Sequence, residues 1–290
     1  MAFDSLEKIL ETCRRQECSF GEAVLREDMY DREVSREASE KQMQRMWEAM
    51  KQASMDYDGN LKSRSGLVGG DGAKMADYTR FGNNICGSFM GEVMAAALQM
   101  GESNACMKRI VAAPTAGACG VLLAVLVPWW RHEKGKEEKM LEALYVAAGI
   151  GQVIASRAYI AGASGGCQAE IGTASAMAAG AMTFLHGGNA EQIVQAAAMA
   201  LKNLMGLVCD PVAGLVEVPC VKRNVIGAVN ACACADMALC GMASRIPADQ
   251  VIDAMKEVGD KMDDSLKETG RGGVAGTPAG CEIREAMEAV

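Results

Sequence analysis

From Leu141 onward the chain runs through stretches rich in alanine and glycine, interrupted by loops at Ala161 to Cys167 and at Gly206 to Cys220. Side chains this small favour helices that approach one another closely. A β-sandwich would instead call for more of the β-branched and aromatic residues that fill a pleated interface. Composition points the same way: of the 290 residues 50% are apolar but only 4% aromatic, the apolar share being mainly Ala, Met, Val and Leu. A chain of this length buries a sizeable core. The expectation is a mostly α protein, a single helical domain with Gly- and Pro-rich loops.

Helical spacing of apolar residues marks an N-terminal region from about Ser5 to Ala53, carried by Leu6, Ile9 and Leu10 and later by Met43, Met46 and Met50. A Gly-rich loop, Ser63 to Met75, follows, and then a helix from about Ile85 to Gly101. The turn Pro114-Thr115-Ala116-Gly117 breaks the next segment, and a helix restarts at Ala118. WWRHEKGKEEK reads as a polar connection, Pro247 opens a last amphipathic helix, and ETGRGGVAGTPAGC reads as an irregular tail. There is no internal repeat and no low-complexity linker.

The net charge of -8 argues against nucleic acid or an anionic membrane surface as a partner. MAFDSLEKIL has no apolar secretory core, and the uncharged run Val121 to Trp130 is about half a membrane span. Ala143 to Gly166 reads as a buried helix followed by a loop. These features predict a cytoplasmic protein. Its twelve cysteines are no disulfide framework, because most lie in apolar helical runs. Cys13, Cys18, Cys86, Cys106, Cys232, Cys234 and Cys240 read as small core or surface residues, which suits a reducing interior.

Three cysteines differ: Cys167 in AGASGGCQAE, Cys209 in GLVCDPVAG and Cys220 in LVEVPCVKRN all lie where the backbone is bent or small. Three thiolates without a fourth suit an iron–sulfur cluster that keeps one iron open to substrate. On spacing alone, three buried neutral thiols are an equally good reading. The gaps match no zinc signature, and His132 and His186 read as surface residues. SGLVGGDGAK fails the phosphate-loop pattern because Lys74 is followed by Met75. It is read either as a loop whose N–H groups and Lys74 hold a carboxylate or as a structural turn. APTAGACG ends at a helix N-terminus, where Thr115 and the N–H groups around Gly117 suit a carboxylate, while Cys119 on the first turn reads as core. Ser164 and Gly165 lead to Cys167 in the same way, and a helix N-terminus there favours a thiolate.

The blocks SRSGLVGGDGAK, APTAGACGVLLAVL, GASGGCQAEIGTASAMAAG, GLVCDPVAGLVEVPCVKRNVIGAVNA and KETGRGGVAGTPAGC closely resemble the α chain of the iron–sulfur-dependent L-serine dehydratases. The resemblance extends from Ser63 to Cys281. It implies a helical catalytic domain and a lyase that turns L-serine into pyruvate and ammonia, in amino-acid degradation that feeds gluconeogenesis. It also implies a [4Fe–4S] cluster on Cys167, Cys209 and Cys220, with serine at the iron that has no cysteine and no pyridoxal phosphate. Lys74, Thr115, Gly117, Ser164 and Gly165 become the candidate substrate-binding residues. Cys281 falls where single-chain relatives end in a ligating cysteine, although nine residues, Glu282 to Val290, follow it here. The chain then divides into a helical N-terminal region (1–60), a cluster and substrate region (61–281) and a tail (282–290). The family's smaller β region, with its GPSSSHT motif, is absent from this sequence. A separate β chain is therefore expected as partner in a hetero-oligomer, and the general base is expected on that partner. Two rival readings are a cluster-dependent lyase for a related small amino acid and a non-enzymatic metal or redox module.

Overall fold

Short polar residues start the helices. Ser5, Ser19 and Ser35 each accept a backbone N–H from the first turn of the helix that follows, and Asn189 with Gln192 forms a reciprocal capping box. The computed structural model describes residues 3–82 and 84–289. In the described residues the α-helices are α1 (Leu6–Gln16), α2 (Phe20–Asp31), α3 (Arg36–Met55), α4 (Asp71–Arg80), α5 (Gly87–Ala105), α6 (Cys119–Glu133) and α7 (Glu137–Arg157). The single turn α8 (Gly162–Gly165) follows, then α9 (Cys167–Leu185), α10 (Ala190–Asn203), α11 (Cys220–Leu239), α12 (Ala248–Lys261) and α13 (Pro278–Glu288). The one β-type pairing among them is an isolated parallel bridge between Cys209 and Lys267. The mostly α expectation holds.

α9 is the axis of the molecule. It packs against α6, α7, α10, α11 and α12, and every residue in it except Glu170 and Phe184 is buried. Its Ala and Gly content is what admits so many neighbours: a Cβ on Gly180 would lie 2.2 Å from Ile150 Cδ1 of α7. Fully burying a side chain such as Ile150 contributes about 2–3 kcal/mol, so close approach turns small residues into good packing partners for large ones. One apolar cluster runs from Phe3 to Met255. The N-terminal helices belong to it. The Asp249 carboxylate on α12 accepts the Leu6 N–H at 2.9 Å and the Ser5 hydroxyl at 3.0 Å, tying the first helix to the second last.

Three boundaries differ from the sequence reading. Helix α4 already begins at Asp71, so the Gly-rich loop is shorter and Lys74 lies on a first helical turn. The polar connection shrinks because α6 continues to Glu133 and α7 begins at Glu137. The tail is not irregular throughout: Thr277 caps and Pro278 opens α13, which takes in Cys281. Among the described residues no helix is long and apolar enough to cross a membrane.

Candidate functional site

The three singled-out cysteines are all buried, Cys167 at 2%, Cys209 at 3% and Cys220 at 7% exposure. Two of them open helices: Cys167 follows Gly166, whose φ of 77° only glycine adopts readily, and Cys220 follows Pro219. Both sulfurs therefore stand at helix N-termini, where the helix dipole favours negative charge. Cys209 is held by its backbone instead. Its N–H donates to Leu266 O at 2.8 Å, and Glu268 N–H donates to its carbonyl at 2.7 Å, so the segment from Leu266 clamps the loop.

The thiols act on one another. The hydrogen bond from Cys209 pushes the Cys167 thiol down, against burial and with help from Arg223. Cys209 moves up through the same bond and through burial, with Cys220 adding to the shift. Burial, reinforced by Cys167, raises Cys220 to about 12. Arg223, a residue the sequence reading passed over, stands among them. Its Nη1 donates to Val208 O at 2.7 Å and lies 3.5 Å from Cys167 Sγ. Its Nη2 pairs with Asp210 Oδ1 at 2.7 Å, and Asp210 Oδ2 accepts the Val274 N–H at 2.7 Å. This fixes a guanidinium beside the Cys167 thiol.

Gly162 fits closely against this group, since a Cβ there would lie 2.8 Å from Cys209 Sγ. Ser164 is exposed, and Gly165 is packed under Tyr159 and Gly259. Gly162 is the glycine of this loop that lies against a cysteine sulfur, while Gly166 lies against Met262 Sδ. The Thr115 hydroxyl donates to Glu170 Oε1, and a Cβ on Gly117 would lie 2.7 Å from both Glu170 oxygens. Asn224, 1% exposed, fastens the same loop to α11: its Nδ2 donates to Gly117 O at 2.8 Å and Cys220 O at 3.1 Å, and its Oδ1 accepts the Gly120 N–H at 2.9 Å. Cys119 is buried in the core, its thiol raised by burial to about 12, in agreement with the sequence reading.

The Gly-rich loop before α4 does hold a carboxylate, the chain's own. Glu102, 2% exposed, accepts the Asp71 N–H at 2.7 Å, the Gly72 N–H at 3.3 Å and the Tyr57 hydroxyl at 2.6 Å. Lys74 is 77% exposed and pairs with Asp71 at 2.9 Å, while Lys222 of α11 reaches the same carboxylate at 3.5 Å. Ser63 donates to Glu217 Oε2 at 2.9 Å, and Ser65 donates to the same oxygen, so this loop is latched onto the one that leads to Cys220. Cys281 stands apart on the first turn of α13. Its Sγ lies 4.0 Å from Ala275 O, and it is not among the chief groups that shift the other three thiols.

Among the described residues no three His, Cys, Asp or Glu side chains are grouped to hold a single metal ion. A four-iron cluster makes a different demand, since each cysteine binds its own iron and the sulfurs stand further apart. The chemistry of three buried thiols on two helix N-termini and a clamped loop, with Arg223 beside them, is compatible with that demand.

Residues 8–275 match the family described as serine dehydratase alpha chain. The chain is 42% identical over 283 residues to the probable L-serine dehydratase, alpha chain, of Bacillus subtilis, covering 98% of this chain and 94% of that one. It is 38% identical over 282 residues to the L-serine dehydratase, alpha chain, of Peptoniphilus asaccharolyticus, covering 97% of each. The L-serine dehydratase TdcG of Escherichia coli is 45% identical over 181 residues, which are 62% of this chain but 40% of that protein.

Proposed function

The chain belongs to the serine dehydratase α-chain family, and from that premise we propose that it is the α subunit of an L-serine dehydratase. It is a lyase that removes water from L-serine to give pyruvate and ammonia. The observation that carries this reading at the level of chemistry is the meeting of Cys167, Cys209 and Cys220, buried and electrostatically linked around Arg223.

In this reading Cys167, Cys209 and Cys220 hold a [4Fe–4S] cluster through three of its irons. Bound there, the cluster would supply an electrophilic fourth iron that makes the serine hydroxyl a better leaving group. The chain's own residues do the rest. The N–H groups after Thr115, at the start of α6, favour the substrate carboxylate. Asn224 fixes that loop relative to Cys220, so substrate and cluster keep one geometry. Ser164, exposed beside the Cys167 loop, and Lys74, exposed on α4, are available to the polar ends of the substrate. Gly165 lets α12 seat against the loop. Cys281, with its sulfur facing the Ala275 carbonyl, is left outside the proposed ligand set. The elimination then needs no pyridoxal phosphate.

A separate β chain completes the enzyme in this reading, as the name α chain implies for the two relatives that match over nearly their whole length. All twelve cysteines are free thiols, which fits a reducing cytoplasm. The test is iron and acid-labile sulfide per chain after anaerobic purification, read beside pyruvate formation from serine. The cluster reading expects about four of each per chain. Zinc in place of iron, or no metal after anaerobic reconstitution, would overturn it.

A further inference from the structure

A single side chain reaches the segments of all three cysteines. Arg223 lies three residues on from Cys220, one turn along the same face of α11. Its Nη1 donates to Val208 O at 2.7 Å and towards Cys167 Sγ at 3.5 Å, and its Nη2 meets Asp210 Oδ1 at 2.7 Å. Val208 and Asp210 flank Cys209, so the guanidinium grips that loop on both sides of its cysteine while touching the sulfur that opens α9. Asp210 extends the grip. Its Oδ2 accepts the Val274 N–H at 2.7 Å, which brings in the segment whose Leu266 and Glu268 backbone groups clamp Cys209. Glycine at position 273 permits this contact, since a Cβ there would lie 2.2 Å from Asp210 Oδ2.

An arginine beside a substrate site invites a role in binding the serine carboxylate, which takes a free fork of N–H donors. Here both ends of the fork are committed to the chain, and the side chain is only 12% exposed. We propose that Arg223 is instead a positioning residue for the cluster: it holds the three cysteine segments at one spacing and keeps an N–H directed at the Cys167 sulfur when that sulfur binds iron. Hydrogen bonds to ligand sulfurs tune an iron–sulfur centre, and the groups that orient metal ligands matter nearly as much as the ligands themselves. A planar guanidinium meets a carbonyl, a carboxylate and a sulfur at once, which the single ammonium of lysine cannot do.

The inference rests on the cluster reading, and the experiment separates the two. The full wild-type chain, with its β chain present, is reconstituted anaerobically with iron and sulfide; if it holds no cluster, that reading falls and this proposal with it. With a loaded wild type in hand, Arg223→Lys, which keeps a positive charge opposite Asp210, is expected to fold as wild type by circular dichroism and to retain iron against a chelator about 10- to 100-fold less well. Iron retention by R223K equal to wild type overturns the proposal. A second measurement needs no variant. The electron spin-echo spectrum of the reduced wild-type cluster is expected to change when the guanidinium nitrogens of arginine are labelled with ¹⁵N, because one of them donates to a ligand sulfur. No change on labelling overturns the proposal, including the case in which R223K fails to fold.

Discussion

At Gly162 the absence of a single methyl group governs where Cys209 can stand. A Cβ there would meet Cys209 Sγ at 2.8 Å, a distance that carbon and sulfur do not tolerate, so Gly162→Ala must displace either the sulfur or the α8 turn. The expected result is a folded chain that holds less iron than wild type under anaerobic reconstitution. Gly172→Ala is the control, because its added Cβ meets nothing nearer than 3.8 Å and alanine is the better helix former by about 1 kcal/mol. Equal iron in the two variants would remove Cys209 from the ligand set. The three cysteines were legible because each lies in a bent or small-residue loop. Arg223 was not, because the Arg223–Asp210 pair forms only once α11 and the Cys209 loop have met.

Among the elements, the site is an assembly of helix starts and loops held by side chains that do no chemistry. Asn224 is the clearest case, since it satisfies the carbonyls of Gly117 and Cys220 and the N–H of Gly120 from one buried position. Asn224→Ala leaves those groups short of partners, at about 1 kcal/mol for each lost hydrogen bond and so about 3 kcal/mol in all. For a chain of this size that lowers the melting temperature by roughly 6 °C or more. Thermal unfolding of the metal-free protein measures it, and a shift within about 1 °C would show that water replaces the amide without penalty. Helices were legible wherever apolar spacing continued for several turns. The start of α13 was hidden because the Gly-rich run before it suggested an irregular tail, although Thr277 followed by Pro278 is a helix-start signal. The loop before α4 deceived differently. Its anion site exists, and Glu102 fills it from a helix 31 residues away in sequence, a pairing that no local pattern announces.

For the molecule as a whole, α9 and the helices packed on it form a frame that carries the cysteine loops, and the relatives bear on how that frame is used. The chain covers 97% of the Peptoniphilus asaccharolyticus α chain, whereas its match occupies 40% of the Escherichia coli protein. Under the proposed function the α chain carries the cluster cysteines, so it should take up iron by itself, while turnover should require the second chain to complete the substrate cavity and exclude water. Adding β chain to a fixed amount of cluster-loaded α chain should raise pyruvate formation from near zero to a plateau at a fixed ratio of the two. Iron content and cluster absorption should stay constant throughout that titration. Full turnover by the α chain alone would mean that the frame encloses a complete site. Iron uptake only after the β chain is added would mean that the partner shapes the cysteine loops themselves, and the division of labour argued from α9 and its loops would have to be redrawn.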